Sequence, residues 1–264
     1  MKVLVTVKEV AEAADDFEIS GTEIEEGYLE YDLNEWDDYA IEEAVQLSEE
    51  RDDVETVGVT IGPERSEETI RMALAKGLDR AVRVWDDAIA RQDLLDVDAK
   101  ARLLEAIVEQ EEPDLILSGV QANDDSFGAT GVALARQLGV QWAAVVNRME
   151  LTEDDTVANV RRELEGGVEE LTEVDMPAVL TIQTGINEPR YASLRGIRQA
   201  QSKEIDVQGL EDLELGEDAV EGALDLTRMY EPVSESDAEI FEGDPGETAG
   251  ELAEVLQEKG VGAQ

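Results

Sequence analysis

Residues Leu115 to Leu138, LILSGVQANDDSFGATGVALARQL, decide how the chain is read. A short apolar run, Leu115 to Leu117, enters a polar loop, Gln121 to Gly131, and an apolar-periodic run, Gly131 to Leu138, leaves it. Strand, polar glycine-containing loop and helix start is the order in which α/β proteins collect phosphate, because free backbone N–H groups and the helix dipole both face the anion. Gly128 and Gly131 allow close backbone approach, and Ser126 and Thr130 offer hydroxyl donors. The same residues also suit an ordinary capped strand-to-helix turn. No fixed-spacing fingerprint such as GxGxxG or GxxxxGK[ST] is present to separate the two readings.

Outward from this stretch, apolar runs of strand length alternate with helical patterns. Val3 to Val7 is β-branched and reads as a buried opening strand, and Glu12 to Glu30 reads as a loop or hairpin turning at Gly21 and Gly27. Asn34 is placed as a helix cap with Asp37 as its capping-box partner, ahead of a stripe made by Trp36, Ala40, Ile41, Ala44, Val45 and Leu47. Val54 to Ile61 is a second strand, followed by a helix capped by Ser66 and closed at Gly77; Ala81 to Trp85 is a third. A helix over about Asp98 to Gln110 stops at Pro113. The alternation predicts an α/β fold with an open, mostly parallel, doubly wound, Rossmann-like sheet, whose ligands bind beyond the carboxyl ends of the strands.

After Trp142 the pattern changes. Ala143 to Leu151, Thr156 to Leu164 and Ala178 to Thr184 are predicted as strands of an antiparallel addition, with Gly166 and Gly167 as a turn. Asn187 to Ile197 carries Leu194 beside Arg190 and Arg195, with Arg198 just beyond, and reads as a loop whose arginines pair with nearby carboxylates. From Leu210 the chain is acidic with few large apolar residues until an amphipathic stretch, Thr248 to Gln257. The expected partition is therefore a nucleotide-binding domain over residues 1–207 and an extended acidic arm over 208–264, solvated or ordered on a partner.

The 264 residues contain neither Cys nor His, which excludes disulfides, Cys/His zinc sites and any His-based triad. A binding or electron-carrying role thereby gains over a hydrolytic one. Sixty-six Asp and Glu against 21 Lys and Arg give a net charge of -45, spread along the whole chain. Molar salt shrinks the Debye length to about 3 Å and screens such repulsion, so a salt-rich cytoplasm and a halophilic source are expected. Nothing supplies a basic stripe for nucleic acid, and no run approaches membrane-spanning length. The N-terminus, MKVLVTVKEV, is too short in its apolar part for a signal peptide, and a cytoplasmic protein is expected.

The segments VKEV at Val7 to Val10, NEWDDYAIEEAVQL at Asn34 to Leu47, IGPERSEETIRMALAKGLDRA at Ile61 to Ala81, PDLILSGVQANDD at Pro113 to Asp125, RRELEGG at Arg161 to Gly167 and NEPRYASL at Asn187 to Leu194 together resemble one family, the β subunit of electron transfer flavoproteins, or FixA type. The resemblance implies a heterodimer with an α subunit that holds the redox FAD, walled in part by this chain. It also implies an adenine nucleotide in the β subunit, AMP or, in electron-bifurcating members, a second FAD. Electrons would pass from dehydrogenases, such as those for acyl-CoA in fatty acid oxidation, to a membrane quinone oxidoreductase. The flavin would carry the chemistry, so the chain is expected to be an electron-carrier subunit with no catalytic residue of its own.

Carried over by position, the nucleotide site comprises Thr6, Lys8, Asn34, Ile61, Gly62, Gln121, Asp124 and Asp125, with the phosphate end at Ser126, Gly128, Ala129, Thr130 and Gly131. Asp125 and the Thr130–Gly131 pair favour AMP over a second FAD, because a carboxylate there repels a diphosphate more than a monophosphate. Phe127 and Gly128 match neither type of family loop. Leu194 corresponds to the family's anchor for partner dehydrogenases, flanked by Arg190 and Arg195; the lysine-rich run expected just beyond is replaced by Gln199, Gln201, Ser202 and Lys203. The competing readings are an ATP-using enzyme, against which the absent SGGxDS loop counts, and a non-redox regulatory nucleotide-binding subunit.

Overall fold

The computed structural model describes residues 1–231, 240–241 and 243–261. The first compact unit, Met1–Met229, opens with β1 (Lys2–Thr6), then β2 (Glu9–Ala13), β3 (Ile19–Ser20), β4 (Glu23–Ile24) and β5 (Leu29–Leu33), pairing β2 with β5 and β3 with β4. Helix α1 (Glu35–Glu50) follows, then β6 (Glu55–Ile61), α2 (Glu67–Lys76), β7 (Arg80–Val84), the one-turn α3 (Asp87–Ala90), α4 (Val97–Glu111), β8 (Leu115–Gly119) and α5 (Thr130–Leu138). Next come β9 (Gln141–Leu151), β10 (Val157–Leu164), β11 (Val168–Asp175), β12 (Ala178–Ile182), α6 (Leu194–Ala200) and β13 (Ile205–Gln208).

Nine strands form one sheet in the order β11-β10-β9-β12-β8-β1-β6-β7-β13. β1 lies between β6 and β8, parallel to both, with Val5 level with Gly58 on one side and Leu117 on the other. The chain steps outward from β1 through β6 to β7, then returns to the far side of β1 as β8. That reversal opens a crevice at the carboxyl ends of β1 and β8. Alternation along β1 builds two cores: Val3 and Val5 meet Ile41 and Ile70, while Leu4 meets Leu103, Ile107 and Leu134. Each such side chain contributes about 1.5–3 kcal/mol when fully buried. The fold is the mostly parallel α/β sheet that the periodicity predicts, extended by the antiparallel strands β10 and β11.

Several local readings are corrected. Ala178 to Thr184, expected in the antiparallel addition, yields β12, which is parallel to both β8 and β9. Its sequence AVLTI is buried at every position, as in a strand covered on both faces. β11 carries the meander beyond the Gly166–Gly167 turn; its glutamates hid it because an edge strand exposes most of its side chains. Leu194 to Ile197, expected as the end of a loop, instead open α6, capped by Ser193 Oγ accepting the Gly196 amide at 3.0 Å. The side-chain caps expected of Asn34 and Ser66 are also absent: Asn34 Nδ2 donates to Gln121 O, and Ser66 Oγ donates to Glu9.

The first part of the acidic segment packs on its own chain. Leu210, Leu213, Ala219 and Val220 are buried with α4 and its neighbours. Backbone capture assists: Asp86 Oδ2 accepts the Leu210 amide at 2.8 Å, Arg102 Nε donates to Ala219 O at 2.9 Å, and Asp96 Oδ2 accepts the Ala223 amide at 2.6 Å. In the second unit, Tyr230–Gln264, the amphipathic stretch lies within α7 (Pro245–Glu258), which starts with proline in its first turn and Asp244 accepting the Gly246 amide.

Candidate functional site

A cavity of about 370 Å³ opens at the carboxyl ends of β1, β6, β7 and β8, where the strand order reverses. Thr6, Lys8, Asn34, Ile61, Gln121, Asp124, Asp125, Gly128, Ala129 and Thr130 line it, so segments far apart in sequence converge as the fold class requires. Gly62, Ser126 and Gly131 lie outside the lining. A side chain at Gly62 would meet Ser66 Oγ at 2.3 Å, and one at Gly131 would meet Ser118 Oγ at 2.5 Å and Thr181 at 2.7 Å. Both glycines therefore serve close packing behind the wall. Ser126 has φ 51° and turns the loop, its amide donating to Ala122 O at 3.0 Å.

Asp37 organises the back of the cavity from the first turn of α1. Its two oxygens accept the Lys8 amide at 2.8 Å and the Gly119 amide at 2.9 Å, at the ends of β1 and β8. Burial outweighs these bonds and pushes its carboxyl up to about 6. Asn34, 1% exposed, donates from Nδ2 to Gln121 O at 2.9 Å and so holds the loop to α1. Asn34 Oδ1 and Ser118 Oγ, both in residues lining the cavity, are buried without a hydrogen-bond partner.

Charge is concentrated at the loop. Lys8 Nζ lies 2.5 Å from Asp124 Oδ1 and 2.8 Å from Asp125 Oδ2, and Lys100 Nζ pairs with the same Asp125 oxygen. Burial alone would raise Asp125, but the hydrogen bonds from Lys100 and Lys8 prevail and hold it below the usual carboxylate range. Burial lowers Lys100 despite that pairing. Asp125 Oδ1 accepts the Phe127 amide at 3.2 Å, and the Phe127 ring sits 5.2 Å from Lys100 Nζ. α5 begins directly after this loop without a side-chain cap, leaving first-turn N–H groups without an intrahelical partner. Trp85, Ile89, Leu95 and Leu104 supply apolar lining. The cavity thus combines an apolar slot with a polar, cation-bearing helix start.

Leu194, Arg190 and Arg195 lie elsewhere. Leu194 is 77% exposed at the start of α6, and Arg195 is exposed. Arg190 is held against α1, its Nε 2.8 Å from Glu42 Oε2 and its Nη1 2.6 Å from Glu49 Oε1. Asn187 Nδ2 donates to Tyr39 O and to Glu43, both at 3.0 Å.

Asp37, Lys100, Ser118 and the apolar slot were not among the residues expected at the site. In sequence, Asp37 reads as the capping-box partner of Asn34. Lys100 carries only its place in the first turn of a helix, and Trp85 only its place at a strand end. No helix among the described residues is long and apolar enough to cross a membrane.

Residues 22–213 match the family model described as the electron transfer flavoprotein domain. The chain is 44% identical over 264 residues, 98% of each chain, to the electron transfer flavoprotein subunit beta of Methylophilus methylotrophus. It is 33% identical over 258 residues to the subunit beta of Bacillus subtilis (strain 168), covering 97% of this chain and 98% of that one. It is 34% identical over 260 residues to the Homo sapiens subunit beta, covering 98% and 94%.

Proposed function

We propose a function from one premise: the chain belongs to the electron transfer flavoprotein family, as a β subunit. It pairs with an α subunit that holds FAD, binds AMP in its own cavity, and takes part in passing electrons from acyl-CoA-type dehydrogenases to a membrane quinone oxidoreductase. FAD, when bound, supplies the electron-accepting chemistry; this chain supplies part of its wall and a docking surface.

The observation that carries the nucleotide reading is the cavity at the strand-order reversal, whose lining combines an uncapped helix start with apolar side chains. The base would lie against Trp85, Leu95 and Leu104, and the phosphate toward Gly128 to Thr130. The unpartnered Asn34 Oδ1 and Ser118 Oγ are polar atoms a nucleotide would satisfy. AMP is preferred to a second FAD because Asp125 already engages both lysines, which leaves little positive charge for a diphosphate. The docking role rests on Leu194 and Tyr191, both largely exposed on a segment pinned to α1 through Arg190.

Co-purification with the α subunit in high salt, followed by extraction of bound nucleotides, tests this. One FAD and one AMP per heterodimer are expected. Two flavins would replace the AMP reading by the electron-bifurcating one, and a complex without reducible flavin would leave the non-redox regulatory reading.

A further inference from the structure

We propose that Lys100 is a phosphate-binding residue of the cavity and that Asp125 is its internal competitor, a carboxylate seated between Lys8 and Lys100 where a phosphate monoester would deliver its charge. This rests on the nucleotide reading above and specifies how the site selects for charge.

Lys100 projects from the first turn of α4 into the cavity lining, its side chain 15% exposed. A lysine so enclosed requires a counter-charge, and Asp125 provides it. The arrangement is unequal: a single oxygen, Asp125 Oδ2, receives both Lys8 Nζ and Lys100 Nζ, while Oδ1 is taken by the Phe127 amide. Lys8 Nζ also reaches Asp124 Oδ1 at 2.5 Å, so two ammonium groups face two carboxylates; each ammonium has three N–H bonds, and donor capacity is left over. A phosphate monoester carries about -1.5 to -2 and three acceptor oxygens, more acceptors for those N–H bonds than one shared carboxylate oxygen offers. Ser118 belongs to the same lining, is 4% exposed, and its Oγ has no hydrogen-bond partner. The Phe127 ring, its centroid 5.2 Å from Lys100 Nζ, adds a cation–π contact to the same ammonium.

The cost of competition falls on the ligand. Binding must draw Lys100 away from Asp125 or share it, so Asp125 weakens all anions, and those with greater charge most, because its own charge stays in place.

The test is titration of the full-length chain, in its complex with the α subunit and freed of bound nucleotide, with adenosine, AMP and ADP. Lys100→Gln is expected to weaken AMP about tenfold, the worth of one charge-assisted hydrogen bond, while leaving adenosine unchanged. Lys100→Arg should retain most AMP affinity. Asp125→Asn is expected to tighten AMP and to tighten ADP more. Equal loss of adenosine and AMP affinity in Lys100→Gln would make Lys100 a structural residue and overturn the proposal, as would unchanged AMP affinity. Weaker AMP binding by Asp125→Asn would make Asp125 a loop-former and remove the competitor. If the unsubstituted chain binds neither adenosine nor AMP, the nucleotide reading itself falls, an outcome distinct from the others.

Discussion

Asp37 accepts the Gly119 amide at 2.9 Å across 82 residues of sequence, which ties the first turn of α1 to the end of β8. The same carboxylate accepts the Lys8 amide, so one buried group gathers both strands that border the cavity. Burial raises its folded pKa from 3.8 to about 6, and in that window the folded chain holds a proton that the unfolded chain has lost. Its contribution is therefore greatest below about pH 4 and declines by about 3 kcal/mol as pH rises past 6. Asp37→Asn should abolish that decline. Denaturant unfolding in constant high salt would show the stability difference shifting by this amount in the variant's favour between pH 4 and pH 7.

Gly131 lets α5 lie directly on β8 and β12. A Cβ there would meet Ser118 Oγ and Thr181 well inside contact distance, in a first turn that cannot retreat without lifting the helix. Gly131→Ala is expected to cost about 1–3 kcal/mol, the range for overpacking a core, and to weaken nucleotide binding in parallel. Thermal unfolding and AMP titration check both.

Arg190 neutralises Glu42, itself buried, together with Glu49 on the next two turns of α1. Arg190→Ala should destabilise the chain by about 1–3 kcal/mol, as charge-assisted hydrogen bonds are lost and Glu42 is left without its cation. Leu194→Ala removes exposed apolar surface and should leave stability unchanged. In the heterodimer, both variants should slow electron transfer from a partner dehydrogenase while flavin content stays intact, Leu194→Ala through the contact and Arg190→Ala through the placement of the loop.

With a net charge of -45, the chain should melt at a markedly higher temperature in molar KCl than in dilute buffer. Calorimetry at matched pH decides this; equal melting temperatures would remove the salt-adaptation expectation.

Most of the parallel sheet was legible, because strands buried on both faces write themselves as unbroken apolar runs and the helices between them keep one apolar stripe. Direction was less so. AVLTI at Ala178 to Ile182 states that a strand is buried but not which way its neighbours run. VEELTEVD at Val168 to Asp175 shows only a partial alternation, since at the sheet edge most of its side chains face water. The loop was legible as a place, through its position between strand and helix. Its chemistry was not, because the second cation arrives from α4 and the carboxylate that joins the strands looks, in sequence, like half of a capping box.

The position of β1 also bears on how the chain is made. Its residues are translated before β6 and β8 yet lie inside the sheet, pairing with β6 on one side and β8 on the other. During synthesis one flank can close once β6 emerges, but the other remains an open edge of Val3, Leu4 and Val5 until Leu115 to Leu117 are available. Pairings of such sequence separation form slowly and expose unpaired edge in the interval. The cavity lies on that seam, so it comes into being only when the last half of the sheet has been translated far enough to complete it.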